Sequence, residues 1–91
     1  MPGIDIHHPH PLPDAQARQA VQQIADTLAA RFGVECRWAG DDLVFQRTGV
    51  DGRIALLPGA VRVTAELGFL LSALQPTIEA EVRRVLAERL A

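Results

Sequence analysis

The stretch Phe45-Gln46-Arg47-Thr48-Gly49-Val50-Asp51-Gly52-Arg53-Ile54 decides how this 91-residue chain folds, because it joins two apolar-alternating segments through glycine-rich turn chemistry. Asp51-Gly52 is a two-residue hairpin signal: a type I′ turn needs positive φ at both central residues, and Asp-Gly supplies it at low steric cost. With that turn, Val50 faces Arg53, Gly49 faces Ile54 and Arg47 faces Leu56. Odd positions of one strand then lie beside even positions of the next. The apolar pattern asks for the same parity. Leu43 and Phe45 alternate with Val44 and Gln46, and Ile54 and Leu56 alternate with Ala55 and Leu57.

The neighbouring turns carry the argument outward. Ala39-Gly40-Asp41-Asp42 pairs Trp38 with Leu43, so Val34, Cys36 and Trp38 join the same face. Pro58-Gly59 pairs Leu56 with Val61 and Ile54 with Val63, and leads into a strand alternating through Val61, Val63, Ala65 and Leu67. Pro-Gly favours a type II turn, which splays hairpins, so that corner is open to a longer loop. Four antiparallel strands therefore follow one another as a meander.

Upstream, Ile4 and Ile6 alternate with Asp5 and His7 in a short first strand, which ends at Pro9-His10-Pro11-Leu12-Pro13. Asp14 stands as N-cap of a helix reaching about Phe32, with Gly33 closing it and Ala17, Val21, Ile24, Leu28 and Phe32 on one face. Downstream, Leu67, Leu71, Leu74, Ile78, Val82, Val85 and Leu86 mark the buried stripe of a long C-terminal helix. Pro76 kinks or divides it near Leu74–Gln75, and Glu79–Arg83 and Glu81–Arg84 pair along its flank. The expected fold is a single α+β domain in the order β-α-β-β-β-β-α, with an antiparallel sheet and both helices packed on one face.

Composition narrows the function classes. A formal charge of −2 and four aromatics give no footing for nucleic acid. No run approaches the ~20 apolar residues of a membrane span, and no basic region followed by an apolar run marks a targeting segment, so a cytoplasmic protein is expected. Cys36, the only cysteine, sits between Val34 and Trp38 and reads as a small buried hydrophobe, not a nucleophile. His7 and His8 point to opposite faces of a strand, and Asp5 with His7 makes two ligands, short of a metal site. Asp41-Asp42 diverge in a turn, and Ser72 back-bonds within its helix. No catalytic residue, metal or cofactor is expected, and enzyme activity ranks last.

Two features exceed what the fold requires. Arg47 lies on the inner face beside Phe45, where a guanidinium must be paired or must reach the sheet margin. Glu79 or Glu81 is its expected partner, with recognition of a carboxylate or phosphate as the functional alternative. The run Leu67-Gly68-Phe69-Leu70-Leu71-Ser72-Ala73-Leu74 is apolar all round, so Phe69, Leu70 and Ala73 form a surplus: either a helix buried on two sides or an exposed contact patch.

The segments RWAGDDLVFQRTGVDGRI and VRVTAELGFLLSALQPTIEAEV, with the His-bearing first strand and the Ala-rich helix, make nearly the whole chain resemble the polyhydroxyalkanoic acid system family, also called polyhydroxyalkanoate granule-region proteins. Arg37, Trp38, Gly40, Asp41, Phe45, Arg47, Gly49, Gly52, Gly68, Leu71 and Pro76 are among the residues that carry it. Gln75 departs from the pattern, where a basic residue is expected. The resemblance implies a role in bacterial polyester storage and transfers no catalytic residue. The leading expectation is a non-enzymatic accessory protein that meets the granule surface, or granule proteins, through its C-terminal helix. Two alternatives stand beside it: a carrier binding a hydroxyacyl ligand at Arg47 in a pocket between sheet and helix, and a homodimer joined through Phe69, Leu70 and Ala73.

Overall fold

The computed structural model describes residues 3–90, apart from the side chain of Leu70. Its elements run β1 (Gly3–Pro9), α1 (Asp14–Phe32), β2 (Glu35–Ala39), β3 (Asp42–Arg47), β4 (Val50–Leu57), β5 (Ala60–Leu67), α2 (Phe69–Ser72) and α3 (Gln75–Leu90). The sheet is wholly antiparallel in the order β1-β5-β4-β3-β2. The last four strands form the meander the turns predict, and β1 closes the sheet against β5. Both long helices pack on one face, α1 across β2, β3 and β4 and α3 beside α1 and β1. No helix among the described residues is long and apolar enough to cross a membrane.

The inner face is organised in rows that run across the strands. Trp38, Leu43, Ile54, Val63 and Ile6 are mutual partners in one row, and Cys36, Phe45, Gly52, Ala65 and Ile4 form the next. Arg47, Val50 and Leu67 form a third at the sheet end. Leu43, Ile54, Val63 and Ile6 are buried, together with Val21 and Ile24 of α1 and Leu86 and Leu90 of α3. Each such side chain contributes roughly 1.5–3 kcal/mol relative to exposure.

One hairpin differs from the expected register. The β3–β4 turn is Thr48-Gly49, so Arg47 pairs with Val50, Phe45 with Gly52 and Leu43 with Ile54. Asp51-Gly52 lies within β4. The shift is even, and every side chain keeps its predicted face. Two contacts explain the choice. Gly49 takes φ 84°, which a turn needs and a side chain resists. At Gly52 a Cβ would collide with the Phe45 ring and stand 2.7 Å from the Thr64 carbonyl oxygen, so no side chain fits there. The other two hairpins match: Trp38 pairs with Leu43, and Pro58-Gly59 closes in two residues with Leu57 opposite Ala60.

The helix ends refine the expectation. Pro13 is the N-cap of α1, and Asp14 is its first residue, so the aspartate acts on the helix dipole without capping by its side chain. Gly33 ends α1 at φ 67°, its N–H donating to the Ala29 carbonyl. The C-terminal pattern is divided: β5 keeps Leu67, a single turn follows as α2, and α3 starts afresh after Ala73 and Leu74. Pro76 falls in the first turn of α3, where its missing N–H costs nothing.

Candidate functional site

The break between α2 and α3 leaves space beneath it. A cavity of about 270 Å³ lies between the sheet end, the C-terminal half of α1 and the α2–α3 junction. Its floor is Phe45 and Ala65 of the second row, and beyond it Val50 and Leu67. Leu28, Phe32 and Val34 wall one side, and Leu71, Leu74, Ile78 and Val82 the other. Arg31, Arg47 and Thr77 are its polar lining residues. Glycine geometry seats the roof: the Gly68 N–H donates to the Gly49 carbonyl at 2.7 Å, and a Cβ on Gly68 would stand 3.3 Å from Gly49 Cα. Leu71 Cδ1 lies 3.4 Å from the place of a Gly49 Cβ. The β3–β4 turn and α2 thus meet through two glycines.

Arg47 reaches the sheet margin, and its partner is not Glu79 or Glu81. Its Nη1 donates to the backbone carbonyl of Phe32, the last residue of α1. A cation at this position satisfies an orphan helix carbonyl and opposes the negative end of the helix dipole. Among the described residues no carboxylate lies within ion-pair distance of Arg47. Glu81 instead bridges Arg31 of α1 and Arg84 of its own helix. Hydrogen bonds from Arg84, with the charge of Arg31 adding to them, hold the Glu81 carboxyl below its ordinary range. Glu79 pairs along α3 with Arg83 at 3.9 Å.

The surplus apolar residues divide among different settings. Phe69 is 91% exposed and Ala73 is exposed, whereas Leu71 turns inward to the cavity. Leu74 both lines the cavity and is 51% exposed. The Leu70 side chain lies outside the described residues. Ser72 back-bonds as expected, its Oγ donating to the Phe69 carbonyl at 2.8 Å. The Gln75 amide donates to the Gly3 carbonyl at 2.6 Å and ties the start of α3 to the edge strand.

The remaining candidate groups are occupied structurally. Cys36 is half-buried with its thiol directed at the Ala25 carbonyl, and burial, then the charge of Asp26, pushes its pKa up. Such a thiol is a poor nucleophile. Asp41 pairs with Arg18 and Asp42 with Arg53. The Arg18 guanidinium also stacks 4.0 Å from the Trp38 ring centre, a contact sequence reading missed because Arg18 counts as an outward-facing helix residue. His10, just beyond β1, is buried, and its Nδ1 accepts from the Leu12 N–H. Among the described residues, no three histidine, cysteine or acidic side chains come together in a metal-binding group. A broader depression of about 650 Å³ crosses the outer sheet face, but its charged walls include Asp5 and Arg53, which are already paired with Arg62 and Asp42.

No curated protein and no solved structure matches the chain significantly. The family model described as "Putative polyhydroxyalkanoic acid system protein" matches residues 4–90, from β1 to the end of α3. Coverage of every described element establishes that the chain belongs to the polyhydroxyalkanoic acid system protein family.

Proposed function

We propose that this protein is a non-enzymatic, cytoplasmic accessory of polyhydroxyalkanoate storage that meets the apolar surface of the polyester granule through its α2 end. The observation that carries this reading is Phe69. A phenyl ring exposed over nine-tenths of its surface, with half-exposed Leu74 nearby in the chain, leaves apolar area in water that contact with a hydrophobic particle would cover. The surrounding structure supports such a role. Phe69 stands on a single helical turn held to the body through Gly68, so it projects without supporting the core. The polymer is chosen as the surface because of the family to which the chain belongs.

Co-sedimentation with isolated granules tests the reading. Wild type is expected in the granule pellet, and Phe69→Glu combined with Ala73→Glu in the supernatant. Both substitutions fall on exposed positions and should change stability by no more than about 0.5 kcal/mol. Wild-type protein that stays in the supernatant overturns the reading, as does a double variant that pellets equally well. A dimer in light scattering that Phe69→Glu dissociates would assign the tip to a second copy of the chain instead.

A further inference from the structure

We infer that the cavity beneath α2 binds an aliphatic carboxylate, with the hydrocarbon chain inside and the carboxylate on Arg47. Three observations converge. The interior is apolar, with Leu28, Phe45, Leu67, Leu71 and Ile78 facing one space, so a buried ligand must present hydrocarbon to it. Its volume of about 270 Å³ exceeds the ~150 Å³ of a dry cavity that accepts benzene, and corresponds to a chain of roughly eight carbons. The charged lining residues, Arg31 and Arg47, are cationic. Arg31 is committed to Glu81, whereas Arg47 has no carboxylate within ion-pair distance among the described residues.

Arg47 uses one N–H for the Phe32 carbonyl, and a guanidinium has five. It can therefore hold a ligand carboxylate without releasing the helix end. That bond also offsets the unfavourable field of the α1 C-terminus, which would otherwise repel an anion there. A neutral hydrocarbon would use the walls but not the arginine, and a small polar anion would leave the walls unfilled. An amphiphile with a carboxylate head serves both. The choice of a 3-hydroxyalkanoate among such acids rests on the storage role proposed above, and the acid terminus of a polyester chain presents the same chemistry as the free monomer.

The test is a titration of the full chain, followed by backbone amide resonances, with monomeric 3-hydroxyoctanoate, its methyl ester, and a 3-hydroxybutyrate trimer bearing a free acid. Saturable shifts are expected at Phe45, Leu71 and Ile78 with the acid, and at least tenfold weaker binding of the ester. Arg47→Met should weaken the acid at least tenfold, and Ala65→Leu should abolish it by filling the floor while the spectrum stays dispersed. A trimer that binds tenfold tighter than the monomer assigns the site to polymer ends, and the reverse order assigns it to free acid. Absence of saturable shifts overturns the inference, as do equal affinities for acid and ester or unchanged binding in Ala65→Leu. Phe69→Glu separates the two proposals: acid binding should survive this change even if granule contact is lost.

Discussion

Two neighbouring rows of the inner sheet face differ in how they are filled. The row Trp38, Leu43, Ile54, Val63 and Ile6 carries large side chains from edge to edge, whereas the next holds Cys36, Gly52 and Ala65 beside Phe45 and Ile4. In the first row Leu43, Ile54, Val63 and Ile6 are buried, as are Ala17, Ala20, Val21 and Ile24 of α1, which packs across β2, β3 and β4. In the second, Phe45, Ala65 and Ile4 line a cavity covered by Leu71 of α2 and by Ile78 and Val82 of α3. One sheet thus combines a row of large, mostly buried side chains with an end that keeps room for something else. The lesson is that the space lies where Ala65 sits among Phe45, Val50 and Leu67, residues of three different strands, which no single strand reveals.

The sharpest break of this comparison is Ile54→Ala. It should cost about 2–5 kcal/mol, since Ile54 is fully buried in the packed row. Ala65→Leu in the neighbouring row should be neutral or stabilising, because the added methylenes enter existing space. Urea denaturation of both variants measures the contrast, and equal destabilisation would mean that the rows are packed alike.

Gly52→Val should come next, at about 1–3 kcal/mol, because its Cβ collides with the Phe45 ring. Combined with Phe45→Leu, the ring's share of that cost should disappear, while the clash with the Thr64 carbonyl oxygen, 2.7 Å from the Cβ position, remains. An additive double-mutant cycle would show that the ring is not the obstacle. Arg47→Met should cost about 1 kcal/mol through the lost bond to the Phe32 carbonyl. Amide exchange should then quicken in the last turn of α1 and not at its start, a pattern that unselective fraying would not produce.

The smallest expected effect lies on the outer face and tests whether that surface is a set of independent exposed pairs. Asp5 accepts two hydrogen bonds from Arg62, at 3.0 and 2.7 Å, which hold its carboxyl below the ordinary value of 3.8. A carboxylate lowered on folding adds stability that is complete above the unfolded value and is lost as pH falls through the folded one. Arg62→Gln should raise the Asp5 midpoint in a carbon-detected NMR titration. An unmoved midpoint would show that the pair does not persist in solution.

Much of this was legible in the chain. Strand order in the meander, the faces of its alternating apolar residues and the C-terminal end of α1 follow from alternation, helical periodicity and Gly33. The β3–β4 turn was not, because Thr48-Gly49 and Asp51-Gly52 both offer a glycine and both preserve parity. Tertiary contacts chose between them: the Phe45 ring requires a glycine opposite it, and Gly49 meets Gly68. The partner of Arg47 was hidden for another reason. Its acceptor is a backbone carbonyl, and every residue carries one, so nothing in the letters singles out Phe32.

The candidate site divides along the same line. The excess of apolar residues around Phe69 is a property of the sequence, and so is the presence of an arginine on an apolar face. Which of those residues point outward, and that Arg47 and Ala65 line one cavity, depends on where α2 breaks from α3. Hydrophobic periodicity is local and assigns faces within each element. The β3–β4 register, the partner of Arg47 and unfilled space belong to contacts between separate elements, so only the folded structure decides them.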